Sequence, residues 1–186
     1  MKKNLLATLI ASVLITPTVL ADSPSYNFVE VNYTDIDEEG LSADGIGFAG
    51  SVELGENFFL TGEYAPLDGE IEFFNVDFDF DVMNFGLGYQ SEFGENSSWF
   101  VSYTFGNWEL ANEDIDVDTF RAGLRSMTTD SLELNASLAS YDIEGESETG
   151  FQVGLAYSVS DNVQVTFDLE DIDDLDIMTF GARMTF

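Results

Sequence analysis

The chain has no cysteine and no histidine, and only 5 of its 186 residues are Lys or Arg. Lys2 and Lys3 stand at the N-terminus, so everything downstream carries only Arg121, Arg125 and Arg183. Without a thiol or an imidazole there is no disulfide framework, no Cys or His zinc site, and no Cys–His or Ser–His catalysis. Without clustered basic residues there is no phosphate-neutralising surface, which excludes nucleic acid as a partner. No cofactor is called for. Against so little positive charge stand 36 Asp and Glu, for a formal net charge of −31. A chain this acidic is often disordered, but 45% hydrophobic residues, 14% aromatic and 17 Phe argue for a large apolar surface that must be hidden.

The N-terminus reads as a targeting segment. Met1-Lys2-Lys3 is a basic n-region, Leu5 to Ile15 an apolar h-region, and Val19-Leu20-Ala21 a small-residue cleavage site. Residues 1–21 are therefore expected to be a cleaved signal peptide, because the apolar stretch falls short of the ~20 residues of a membrane-spanning helix. Residues 22–186 are expected to form one exported domain.

In that domain apolar residues recur at every second position, the period of a β-strand. Ten such runs follow one another. They begin with Val29-Val31-Tyr33, then Ile46, Phe48, Val52 and Leu54 together, then Phe58-Leu60-Tyr64, continue through Met83 to Tyr89 and Trp99 to Phe105, and end with Met178 to Phe186. The opposite faces are small or polar: Asn84-Gly86-Gly88, Ser102-Thr104-Gly106 and Gln152-Gly154-Ala156. Short connectors near 55–57, 91–98, 128–131 and 160–162 alternate with longer acidic ones at roughly 35–44, 66–79, 107–118, 142–148 and 170–176. The arrangement predicts an all-β, up-and-down antiparallel transmembrane β-barrel of ten strands, with eight as the alternative. Its turns are expected to be short on the periplasmic side, and its acidic loops extracellular.

The last eight residues, Thr179-Phe180-Gly181-Ala182-Arg183-Met184-Thr185-Phe186, carry the most specific pattern. With Gly181, Met184 and terminal Phe186, they resemble the terminal-strand signal read by the outer-membrane assembly machinery, Met184 standing where an aromatic is usual. Together with Tyr26 to Tyr33 and Asn57 to Tyr64, the layout resembles small outer-membrane β-barrels of the OmpA-like, porin-like kind. The resemblance implies the outer membrane of a Gram-negative bacterium. It also implies outer-membrane lipid, lipopolysaccharide and the assembly machinery as partners, and a monomer, but no particular activity.

Following each strand into its acidic segment, polarity changes on both faces at once. The outward parity of Met83 continues as Asp81, Asp79 and Asp77, while Val82, Phe80 and Phe78 take the inward one. Phe120 leads back to Asp118, Asp116 and Asp114, with Val117 and Ile115 inward; Ser140 leads to Asp142 and Glu144, with Tyr141 and Ile143 inward. Strand geometry enforces such an alternation. The expectation is a barrel that continues past the lipid, closed at its extracellular end by an apolar cluster of Phe78, Phe80, Val82, Ile115, Val117, Tyr141 and Ile143. Flexible loops with accidental alternation are the other reading.

Arg121, Arg125 and Arg183 all fall on inward parity, as do Glu30, Glu53, Glu63, Glu133, Asp168 and Glu170. A charge facing a narrow, partly dry lumen needs a partner. Arg125 and Glu133 flank a turn and are candidates for a cross-strand pair; Arg183 and Glu30 are candidates where the last strand closes on the first. These are expected to be structural ion pairs, or else a gate favouring cations. The five acidic segments hold 24 of the 36 carboxylates. Asp35, Asp37, Glu39, Asp114, Asp116 and Asp118 are weak candidates for Ca²⁺ or Mg²⁺ ligands, since Ile46 stands where a calcium loop would end in Glu.

Three functional classes follow. Enzymatic activity is not expected: the barrel proteases, phospholipases and deacylases of the outer membrane depend on His, and no carboxylate pair is marked for glycoside hydrolysis. A narrow cation-preferring channel, or a binder of a small hydrophobic molecule, is one alternative. A barrel with a structural or surface-interaction role, its lumen filled and its outer end closed, is the favoured reading.

Overall fold

The computed structural model describes residues 23–38, 40–71, 73, 76–110, 113–173 and 175–186. The expected signal peptide lies outside the described residues. Ten strands run β1 (Phe28–Glu38), β2 (Leu41–Leu54), β3 (Phe58–Ile71), β4 (Val76–Glu92) and β5 (Ser97–Leu110), then β6 (Glu113–Thr129), β7 (Leu132–Ile143), β8 (Glu146–Ser160), β9 (Val163–Ile172) and β10 (Leu175–Thr185). Each pairs antiparallel with its sequence neighbours, and β1 closes on β10, so the sheet is a complete barrel with no free edge. This excludes the eight-stranded alternative. Closure satisfies every strand's backbone groups within the wall, the condition for crossing a bilayer with strands.

The expected face assignment holds along the wall. Outward Ile46, Phe48, Phe85, Phe105, Phe120 and Phe180 are each 50–63% exposed, although they are among the most apolar residues in the chain. Two aromatic girdles bound this band. At the end carrying the termini, Phe58, Tyr89 and Trp99 stack with centroids 5.3 and 5.5 Å apart. At the far end, the hydroxyls of Tyr33 and Tyr103 donate to Asp44 and Asp118, both at 2.9 Å, where the wall turns polar. Amphipathic rings at both margins are the mark of a lipid-facing band.

The long acidic connectors, by contrast, are not loops. Strands run through nearly all the described residues of 66–79, 107–118 and 142–148. Between β7 and β8 the turn is Glu144-Gly145, with φ of 53° and 91°; both central residues lie in the left-handed region, as a two-residue hairpin turn requires. Outward carboxylates consequently face one another across the ladder: Asp35 opposite Asp44, Asp44 opposite Asp68, and Asp68 opposite Asp79. Such like-charge pairs oppose sheet formation. The compensating burial is on the other face of the same strands, where Ile36, Ala43, Leu67 and Val82 are at most 9% exposed.

Candidate functional site: the barrel lumen

The interior has three zones. At the far end, two apolar clusters meet. One is built on Ile36, Ala43, Ala65, Leu67 and Val82, the other on Val117, Ala139, Tyr141 and Ile172. Trp108, Leu175 and Ile177 pack against both; Phe80 joins the first, and Ile115 and Ile143 the second. Of the seven residues expected here, Phe78 falls outside both clusters. It lies over Gly69, its direct cross-strand partner, where any β-carbon would strike its ring.

At the terminal end, aromatic side chains crowd the lumen. Tyr26, which precedes β1, is 3% exposed, with its ring 4.7 Å from Phe59 and 6.3 Å from Phe100. Phe59 covers Gly88 and Phe100 covers Gly123, each its cross-strand partner, so the glycines are seats for inward rings. The sequence pattern did not reveal this zone, since ring-on-glycine packing depends on register between strands and not on periodicity within one.

Ion pairs bind the wall between these zones. Arg125 grips Glu133 with two hydrogen bonds, Nε to Oε1 at 2.6 Å and Nη2 to Oε2 at 3.1 Å, and its guanidinium sits 4.5 Å from the Tyr26 ring. Glu133 is 1% exposed and Arg125 8%. Arg183 Nε donates to Glu30 Oε2 at 2.7 Å, directly across the β1–β10 seam, with the guanidinium over Phe28. Arg121 ties four strands together by donating to Ser137, Gln152, Tyr141 and Glu170 at 2.7–3.0 Å. Tyr141 thus belongs to the apolar cluster by its ring and to the polar network by its hydroxyl.

Three expected members have no arginine partner. Glu53 accepts from the Asn27 side chain at 2.9 Å, near the terminal end, apart from the network. Glu63 receives one hydrogen bond from Asn84, and Asp168 one from Asn135, both at 3.2 Å. Counting Glu30, Glu63, Glu133, Asp168 and Glu170 against three arginines, this part of the interior holds two more carboxyl groups than guanidinium groups. A cavity of about 350 Å³ runs along the lumen, from Tyr26, Phe59 and Phe100 at the terminal end to Phe80, Trp108 and Ile177 at the far end.

On the outside, Asp114, Asp116 and Asp118 lie along one strand, and Asp35 and Asp37 along another; Glu39 lies outside the described residues. Among the described residues no three Asp or Glu converge on a point that would hold a metal ion. Of the terminal-strand signal, Gly181 faces inward against Thr166 and Glu30, too close for any side chain, while Met184 and Phe186 face outward, 48% and 68% exposed.

A family model described as outer membrane protein beta-barrel domain matches residues 6–184. In fold the chain is similar to the KdgM porin in complex with disordered oligogalacturonate (TM-score 0.54, 11% identity, covering 84% of this chain and 99% of that one). It is also similar to the NanC porin (TM-score 0.54, 6% identity, 85% and 98%). A third likeness is to the COG4313 outer membrane channel from Pseudomonas putida F1 (TM-score 0.50, 10% identity, 92% and 100%). At these identities the likeness is one of fold. No curated protein matches the chain in sequence.

Proposed function

The chain belongs to the outer membrane protein beta-barrel domain family, which puts it in the bacterial outer membrane, and on that premise we propose that it is a closed barrel with a structural or surface-interaction role rather than a diffusion pore. The observation that carries this reading is the burial of lumen-facing side chains at both ends. At the far, extracellular end Val117 is 0% and Leu67 3% exposed although both face the lumen. A side chain lining a water column would be wetted, so these two are shut off from one. At the periplasmic end Tyr26 folds into the mouth and is held by Phe59, Arg125 and a 3.0 Å hydrogen bond with Ser98. The space left, about 350 Å³, holds on the order of ten waters at ~30 Å³ each. Open porins use ~16–18 strands, and bore grows with strand number, so ten strands enclose a narrow lumen.

The acidic extension supports a role at the surface. Above the aromatic girdle the outer wall presents Asp35, Asp44, Asp68 and Asp79 in one row, a rigid anionic collar where lipopolysaccharide sugars and phosphates begin. Ca²⁺ or Mg²⁺ between collar and lipopolysaccharide phosphate would reconcile the two negative surfaces. The oligogalacturonate of the KdgM complex is a polyanion, and a lumen with surplus carboxylate opposes such a passenger.

Liposome swelling tests the reading. Vesicles containing the refolded mature chain are expected to swell in arabinose no faster than protein-free vesicles. Removing Tyr26 alone leaves the apolar end in place, so Tyr26→Ala is expected to stay silent as well. Swelling by the unaltered chain at a porin's rate would overturn the closed-barrel reading.

A further inference from the structure

The cavity has a division of chemistry that a merely filled lumen does not need. Its far wall is largely apolar, from Leu67, Phe80, Trp108 and Ile177, with Trp108 Nε1 an unpaired donor there among the described residues. Below it stand Glu63 on β3 and Asp168 on β9, nearly opposite one another around the barrel, each held by a single amide donor and neither paired with an arginine. Two carboxylates facing a low-dielectric space without a directly paired counter-charge are costly. A second, independent deficit lies in the same cavity wall. Asn32 and Thr34 are 5% and 6% exposed, and neither Asn32 Oδ1 nor Thr34 Oγ1 has a hydrogen-bond partner among the described residues. The Asn32 side chain leans over Gly47 towards Ala65, two residues from Glu63 on the same inward face. Buried polar groups are normally satisfied, and here an unpaired carbonyl oxygen lines the same cavity as a carboxyl group with no ion-pair partner. What is missing is a positive charge that also donates hydrogen bonds.

We propose that this chamber binds a small organic ammonium ion, a protonated amine on an apolar or aromatic body, with Glu63 and Asp168 as counter-charges and Phe80 and Trp108 receiving the body. A bare or hydrated metal ion would leave the apolar wall unused, and no three carboxylates converge to hold one among the described residues. A neutral hydrophobe would leave the carboxylates and Asn32 unmet. The volume of about 350 Å³ is at the small end of the ~300–1,000 Å³ range of ligand pockets, which limits the guest to roughly one ring and a short chain. The inference rests on the closed lumen proposed above. It is read by binding rather than by permeation, so an open pore and a non-binding chamber are distinguishable failures.

Trp108 provides the signal. The chain has two tryptophans, and Trp99 lies on the lipid face, so a Trp99→Phe background leaves Trp108 as the sole tryptophan. In that background, refolded in a neutral maltoside detergent, 2-phenylethylammonium is expected to change the fluorescence saturably, and 2-phenylethanol and phenylacetate are not. Glu63→Gln with Asp168→Asn is expected to weaken the affinity at least tenfold while retaining the heat-modifiable mobility of a folded barrel; Asp168→Asn alone gives a second, milder variant, with weakening in the same direction. Equal binding of 2-phenylethanol, unchanged affinity in both variants, displacement of the amine by an equal concentration of KCl, or no saturable response would each overturn the proposal.

Discussion

Glu133→Ala is expected to destabilise the folded barrel by about 3–5 kcal/mol, the usual consequence of removing one partner from a buried ion pair. Glu133 is 1% exposed and holds both Nε and Nη2 of Arg125. Its removal strands a guanidinium whose remaining neighbour is the face of Tyr26. The effect should be specific to breaking the pair and not to losing volume. Replacing both members, Arg125→Met with Glu133→Leu, is accordingly expected to recover most of the loss, because apolar replacement of a whole buried pair is often neutral or better. Reversible urea unfolding in lipid vesicles checks both. A loss below about 1 kcal/mol for Glu133→Ala would mean that water reaches Arg125, the behaviour of an exposed pair.

Phe85→Arg is expected to cost ~2–4 kcal/mol in the same assay, the range for a basic residue on the lipid face at the bilayer midplane. Phe85 points outward in the middle of β4, is 59% exposed and lies opposite Phe105. Asp81→Arg, on the same face ~13 Å further along the strand at about 3.3 Å per residue, provides the contrast. Asp81 lies opposite Glu109, so a basic residue there meets water and a carboxylate, and is expected to be neutral or mildly stabilising. Equal costs at the two positions would mean that the band between the girdles is not where the lipid lies.

The period of two made the ten strands and the lipid-facing side legible, because in a barrel that alternation is repeated in every stave. The inversion from Met83 to Asp81, Asp79 and Asp77 likewise pointed to a barrel wall continuing past the membrane. The strand ends were not legible. Runs such as Asp77-Phe78-Asp79-Phe80-Asp81 combine residues that disfavour strands with residues that favour them, and burial of Phe80 and Val82 decides between the two only when the partner strand is known. Lumen contents divided in the same way. Glu30 opposite Arg183 followed from closing the last strand on the first, whereas Glu53 shares the inward parity yet lies too near the terminal mouth to join the arginines and pairs with Asn27 instead. The aromatic floor was invisible, since the seating of Phe59 over Gly88 belongs to the register of β3 against β4 and leaves no mark on either strand alone.

Closure is the central claim, and single-channel recording tests it most directly. Residues 22–186, refolded in detergent, shown to be heat-modifiable and added to a planar bilayer, are expected to give no discrete conductance steps at either polarity. Reproducible cation-selective steps, altered in size by replacing Arg121 or Arg183, would contradict closure at both ends and make the lumen charges the lining of a pore.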